Sequence, residues 1–337
     1  MIKKIFLYIY LFLPLIKANI FSEINTFTDF INIYKKNYEH DEFQFRYNIF
    51  LNNKEFIEIN NFYNENYKLK LNQFSDLSID EFEKQYLLLN SKNFYNYESL
   101  SYDKELKCSI DKNLLGLSSE TPPEFDWEKE NKVTCVKNQG NCGSCWAFST
   151  VGAIESEYAI KKNKLLNLSE QELLDCADGE YENQGCNGGL MENGFHYVMD
   201  KGLCSEKEYP YEAKNNTCRI CKEEIKISDC KEVPSYNETS LKYAVLKKPI
   251  SVAVDASSLS FQFYSGGILN SGCGTRLNHA VLLVGYGEEN GKKYWRIKNS
   301  WGKNWGEDGY IRLARKDTND KTSGMCGVTK QPSYPIL

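Results

Sequence analysis

Cysteine placement constrains this chain more than any other feature. Of its twelve cysteines only Cys108 precedes Cys135, which leaves eleven in the C-terminal part. Eleven is odd, so the count predicts one free thiol and five bridges among them. Bridges need an oxidising compartment, and the N-terminus provides a route to one. "MIKKIFLYIYLFLPLIKAN" has basic Lys3 and Lys4, an apolar run to Ile16 and a small residue, Ala18. That is the layout of a secretory signal peptide over residues 1–18. The run is shorter than the roughly 20 apolar residues a membrane span requires and is broken by Pro14.

From Phe21 to about Leu89 apolar residues recur at helical spacing with neither Gly nor Pro. Residues 90–120 lose that period and read as an extended or mobile linker. Beyond Thr121-Pro122-Pro123 the texture changes again, since only Gly116 of the 22 glycines lies before residue 121. Starting at Cys145, Ala147, Val151, Ile154 and Tyr158 predict one apolar face of a helix. Ser169 and Glu172 predict a capping box on a second helix. After about residue 232, "ISVAVDA", "HAVLLVGYG", "YWRIKNSWG" and "GYIRLAR" read as strands. A helical half followed by a strand-rich half predicts an α+β protein with its working cleft between two lobes.

"QGNCGSCWAF" (139–148) sets Cys142 and Cys145 three apart. A redox pair would call for a βαβ pattern, which the short polar "VTCVKNQG" upstream does not supply. Zinc ligation with Cys218 and Cys221 would leave some 70 residues between the pairs, where a zinc ribbon has about 15 to 20. The third reading makes Cys145 a reactive thiol at a helix N-terminus, which requires an imidazole partner. Of the three histidines, His40 and His196 read as structural. His279 differs because Asn299 in "KNSWG" follows it and is suited to orienting the ring.

"QGNCGSCWAFS", "LNHAVLLVGYG" and "KNSWGKNWGEDGY" resemble the signature segments of the papain family of cysteine peptidases. His279 and Asn299 stand 134 and 154 residues beyond Cys145, in the order and at the spacing of that pattern. The resemblance implies a papain-like two-lobed fold, with a helical left lobe (about 130–231) and a β-barrel-like right lobe (about 232–328 plus 121–129). A helical inhibitory propeptide (19–120) would precede this peptidase (121–337). Cys145 is then the nucleophile, His279 the base, Asn299 its orienting group, Gln139 the oxyanion-hole side chain and Trp301 the shield of the His-Asn bond. The same resemblance pairs Cys142 with Cys186, Cys176 with Cys218 and Cys273 with Cys326. A further match to plasmodial relatives pairs Cys204 with Cys221, which leaves Cys135 with Cys230. Leu190, Met191, Ala253, Asn278, Ala280 and Gln331 would line the S2 pocket. "EFDWEKENKVTCVKNQG" and "LNHAVLLVGYG" are also similar to segments of viral cathepsins and protist relatives.

Glu42, Arg46, Phe50, Asn53, Ile57 and Asn61 fall on one helical stripe and match the interspersed ERFNIN pattern of cathepsin L-type propeptides. Asn72, Phe74 and Asp76 match the second propeptide motif, with Lys70 where a glycine is usual. The propeptide match implies a secreted zymogen, and the mostly apolar S2 lining that the resemblance implies predicts a preference for bulky apolar P2 residues. An endopeptidase is expected because only nine residues separate Cys176 from Cys186 and no exopeptidase loop is evident. Its partners would be protein and peptide substrates and its own propeptide. A formal charge of −5 without a basic run gives no reason to expect nucleic acid. No cofactor, metal or membrane association after signal cleavage is expected, and the enzyme would be a monomer of the secretory pathway, in a lysosome-like compartment or outside the cell. Sequons at Asn167, Asn215 and Asn237 suit that route.

Overall fold

The structure, a computed structural model, describes residues 26–87, 106–117, 120–317 and 321–337. The expected signal peptide and most of the expected linker lie outside the described residues. Among the described residues no helix is long and apolar enough to cross a membrane.

The front segment forms α1 (Phe27–Tyr34), α2 (His40–Tyr63), the strand β1 (Tyr67–Leu69) and α3 (Ile79–Tyr86). Reciprocal capping boxes start α1 (Thr26 with Asp29) and α3 (Ser78 with Glu81). The six-residue stripe of α2 grips the chain returning from β1 to α3. Arg46 pairs with Glu42 and Glu81 and donates to the Asp76 carbonyl. Asn61 donates to the Leu69 carbonyl and accepts from its N–H. Buried Asn53 donates to the carbonyls of Ser75 and Leu77, each at 3.0 Å. Asp76 holds Lys36 and Tyr38. A passing backbone offers both donors and acceptors, and carboxamide side chains can answer both. Asn53→Ala strands two buried carbonyls and should cost the folded chain about 2 kcal/mol or more. A calorimetric scan should record a lower unfolding midpoint for this variant, and an unchanged midpoint would contradict the assignment. Lys70 fits where a glycine is usual, because it is exposed, has no positive φ and donates its N–H to the Phe263 carbonyl.

The chain continues with β2 (Ser109–Ile110), β3 (Phe125–Asp126), α4 (Cys145–Lys162), α5 (Glu170–Cys176), α6 (Met191–Lys201), β4 (Leu203–Cys204) and β5 (Glu223–Ile225). It is completed by β6 (Asp229–Glu232), α7 (Glu238–Lys247), β7 (Ile250–Val254), α8 (Leu259–Gln262), β8 (Tyr264–Leu269), β9 (His279–Glu289), β10 (Lys292–Lys298), β11 (Tyr310–Ala314) and β12 (Pro332–Ile336). The strands join in the order β1-β8-β11-β10-β9-β7-β12-β6-β2, with β3 added on β9 and β4-β5 as a separate ribbon. The path does not return on itself, so the barrel-like expectation for the strand-rich lobe is corrected to an open sheet. Its two end strands, β1 and β2, both come from ahead of residue 121. Gly267 in β8 has φ +87°, and a Cβ there would lie 2.4 Å from the Asn66 carbonyl oxygen, so the incoming strand needs this glycine.

Two main cores result. One holds the sheet residues Val252, Leu283, Trp295 and Ile311 and extends without a break into Phe74, Phe82 and Leu87 of the front segment. The other surrounds α4 and includes Trp146, Val151, Leu173, Phe195 and Val198. The amphipathic reading of α4 is corrected, since it is buried on every side from Cys145 to Glu157. Its polar residues are satisfied by neighbours: Ser149 donates to the Val281 carbonyl of β9, and Ser251 of β7 donates to the Ser149 carbonyl. The Ser169 hydroxyl caps α5, but the Glu172 carboxylate, expected to complete a box, accepts from Tyr197 and the Cys204 N–H instead.

Five disulfides join Cys142–Cys186, Cys176–Cys218, Cys204–Cys221, Cys273–Cys326 and Cys108–Cys230. The expected Cys135–Cys230 pairing is overturned, because Cys108 takes Cys230 and leaves both Cys135 and Cys145 as thiols. The odd-count argument failed for the same reason, having set Cys108 aside. Residues 106–117, read as linker, include a strand and a buried leucine, Leu114.

Candidate active site

Cys145 is the first residue of α4, and its Sγ is fully buried. The loop before it is pinned by the Cys142–Cys186 bridge and by the Gly143 N–H on the Cys186 carbonyl at 2.9 Å. A Cβ on Gly143 would sit 2.5 Å from that same oxygen, so only glycine passes here. The N–H of Ala280 donates to Cys145 Sγ at 3.4 Å, which places the sulfur beside the start of β9. His279, the first residue of that strand, is buried and directed by its other neighbours. Its Nε2 bonds Asn299 Oδ1 at 2.7 Å, and since that oxygen can only accept, Nε2 carries the proton. Nδ1 has no hydrogen-bond partner among the described residues. Trp301 stacks on the imidazole at 4.5 Å and is itself closed in by Phe261 and Trp305.

Asn299 follows β10, and the β9-β10 hairpin brings it back to the strand end where His279 sits. Gln139 reaches the same place through backbone pairing. Its N–H donates to the Ser300 carbonyl, Gly302 donates to the Lys137 carbonyl, and Asn138 bridges Trp301. Lys137 anchors this loop to α4 and α5 by pairing with buried Glu155 and Glu170. The Gln139 carboxamide is oriented by Ser300, whose hydroxyl donates to Oε1 at 2.6 Å. Nε2 therefore points its hydrogens toward the Cys142 carbonyl at 2.8 Å and the Tyr86 carbonyl at 3.1 Å. Tyr86 belongs to α3, so a peptide carbonyl of the front segment already occupies this donor. The same segment covers the indole, with Phe74 and Phe82 edge-on to Trp301 and Gln73 donating to the Trp301 carbonyl.

Burial pushes the Cys145 thiol up to about 12, against the N–H groups of Ala280 and Trp146 that pull it down. Burial lowers His279 to about 4, against the Asn299 bond. In this closed form both groups are neutral over the physiological range.

The expected pocket residues are placed as follows. Ala253 of β7 pairs in register with Ala280 of β9, next to the sulfur. Asn278 accepts from the Ala256 N–H. Leu190 and Met191 open α6. Gln331 donates to buried Glu192, whose carboxyl is raised by burial. Of the two histidines read as structural, His40 is exposed at the start of α2 and His196 is half-buried 4.0 Å from Cys230 Sγ. Three residues escaped the sequence reading. Ser300 stood inside the quoted "KNSWG", but nothing there announces a partner 161 positions away. Tyr211, which donates to the Gln139 carbonyl and bonds the Ser144 hydroxyl, carries no local signal. Neither does Glu192.

Comparison with known proteins agrees with this geometry. Residues 121–336 match the papain family cysteine protease domain and residues 27–82 match the cathepsin propeptide inhibitor domain. The chain belongs to the papain family. It is 45% identical over 295 residues to the KDEL-tailed cysteine endopeptidase CEP2 of Arabidopsis thaliana, covering 86% of this chain and 80% of that protein. It is 43% identical to cysteine protease XCP2 of the same plant, covering 93% and 86%. Among solved structures, recombinant stem bromelain precursor superposes with a TM-score of 0.79 at 41% identity, over 92% of this chain and 97% of that one. Procathepsin L 3 of the Tenebrio molitor larval midgut gives 0.76 at 38% identity, over 92% and 97%. The protein is a papain-like cysteine endopeptidase with an inhibitory propeptide, and the structure is that of its zymogen.

Within that family assignment the Gln139 geometry makes a separable prediction. Gln139→Ala should lower kcat on a peptide amide by about 100 to 1,000-fold with KM little changed. Alkylation of Cys145 by iodoacetamide forms no oxyanion and should be unaffected. Equal losses in both assays would assign Gln139 to the fold instead.

Proposed function

We propose that the enzyme hydrolyses peptide bonds through an acyl-enzyme on Cys145. When the propeptide leaves, the Sγ proton passes to His279 Nδ1, and the thiolate adds to the scissile carbonyl. The oxyanion is held by Gln139 Nε2 and the Cys145 N–H at the start of α4. Collapse breaks the C–N bond, His279 gives its proton to the departing amine, and a thioester remains. Water, deprotonated by His279, then releases the acid. Asn299 keeps the ring in the required tautomer, and Trp301 keeps water from that bond. The observation that carries this reading is the commitment of His279 Nε2 to Asn299 beside a sulfur lodged on the next residue's N–H.

Inhibition would be by occupation, with the Tyr86 carbonyl on the donor a substrate oxygen needs. Leu190, Met191, Ala253 and Ala280 support an apolar S2 pocket, where burying a bulky P2 side chain gains about 1.5–3 kcal/mol. Gln331, backed by Glu192, supports more tolerance of a basic P2 than an apolar floor would allow. The secretory route rests on residues 1–18 and five disulfides, and one relative is named for a KDEL tail. The expected result on a peptide panel is cleavage of substrates with Leu or Phe at P2, weaker cleavage of those with Arg at P2, and full block by iodoacetamide. No cleavage at all would overturn the reading, and total exclusion of P2 Arg would remove the role of Gln331.

A further inference from the structure

Residues 106–117 precede the region matched to the protease domain and follow the inhibitor domain. They are built into the sheet and core of the part that follows. Ser109 and Ile110 extend the sheet in parallel with Lys231 and Glu232 of β6, and the Asp111 N–H continues the ladder to the Glu232 carbonyl at 2.8 Å. Leu114 is 1% exposed and lies in the main core against α7, where Ser240 donates to its carbonyl at 2.8 Å. Tyr334 of β12 donates to Asp111 Oδ2 at 2.7 Å, and Lys231 donates to the Ser109 hydroxyl. Cys108 then fixes the segment covalently to Cys230. Both cysteines are buried, 4% and 0% exposed, so the bridge is shielded from thiols in solution.

The inhibitor helices have no such tie. Their hold on the rest of the chain is non-covalent and includes β1 on β8, the core shared through Phe74, Phe82 and Leu87, the aromatic packing around Trp301, and hydrogen bonds and ion pairs such as Arg276 with Glu83. We propose that residues 106–117 are a permanent strap of the active enzyme, seated on the edge of β6 and in the hollow beside α7, and that they stay when the inhibitor leaves. The strap closes two faults that a catalytic domain beginning at residue 121 would have. Without β2 the outer edge of β6 is unpaired and open to other strands. Without Leu114 the core beside α7 has an opening to water.

The inference rests on the zymogen reading, and the test separates the two. The precursor is activated at mildly acidic pH, or by added pepsin if it does not shorten itself. Free thiols are then blocked with iodoacetamide and the product is mapped without reduction. The expected result is a disulfide-linked peptide pair holding Cys108 and Cys230, whether the enzyme runs as one chain or as two joined by that bridge. An enzyme lacking residues 106–117, with Cys230 alkylated, overturns the proposal. An intact bridge in a product that has lost the inhibitor helices but shows no activity upholds the strap and sinks the proposed mechanism at Cys145. As a second measurement, Leu114→Ala with the double variant Cys108→Ser, Cys230→Ser should lower the midpoint of thermal unfolding of the activated enzyme by about 5 °C or more. An unchanged midpoint would also overturn the strap's role.

Discussion

Cys145→Ser is expected to lower kcat on a peptide amide by about 10⁴-fold or more, with the fold retained. Serine nearly matches the thiol in size and can accept the Ala280 N–H that now points at Sγ. What it loses is acidity, because no helix N-terminus or imidazole brings an aliphatic hydroxyl to the anion near neutral pH as readily as a thiol. Kinetics on activated enzyme, with thermal unfolding recorded in parallel, check the expectation. A variant with near-normal turnover would remove Cys145 as nucleophile. Cys142→Ser makes the contrast, since it breaks the bridge to Cys186 and should act through stability.

The second large effect concerns reactivity before and after the propeptide leaves. Alkylation of Cys145 by iodoacetamide at pH 6 should be at least about 100-fold slower in the precursor than in the activated enzyme. In the precursor Sγ is wholly buried, the thiol is pushed up to about 12 and His279 down to about 4, so neither partner carries charge. On the proposed mechanism, release of the inhibitor would restore solvent and let the pair ionise together. Peptide-resolved mass spectrometry is needed, because exposed Cys135 will react in both forms. Equal rates at Cys145 would mean that the front segment does not silence the site.

The His279 shift also fixes the direction of the precursor's response to acid. A base whose folded pKa is depressed resists protonation in the closed form, while an opened chain takes up the proton at about its ordinary 6.5. The closed form is therefore at full strength above about 6.5 and weakens as pH falls toward 4. Each unit of that window is worth about 1.4 kcal/mol. Glu81 adds in the same sense. Burial would raise its carboxyl, but the Ser78 N–H and Arg46 outweigh burial and hold it low. Acid protonation thus weakens the clamp between α2 and α3.

Much of this architecture could be read along the chain because the chemistry is local. The stripe on α2 follows from helical periodicity, and the strands after residue 232 follow from β-branched and aromatic runs between glycine turns. The spacing of Cys145, His279 and Asn299 nominated three side chains, since a thiolate needs a base and a base needs an orienter. Local pattern misled where a second partner was remote. Glu172 had the position of a capping residue but spends its carboxylate on Tyr197 and Cys204. The helix after Cys145 had one apolar stripe in sequence, yet it is buried all round because two lobes close on it.

By itself the sequence determined that this chain would carry a thiol, an imidazole and a carboxamide fit for acyl transfer, with a helical segment ahead of them. Only the tertiary structure decided that Cys230 would choose Cys108, that Ser300 would turn Gln139, and that a propeptide carbonyl would occupy its amide. Pairing, orientation and occupancy are properties of distances between residues far apart in the chain. Those distances exist only once the sheet and α4 have packed against each other.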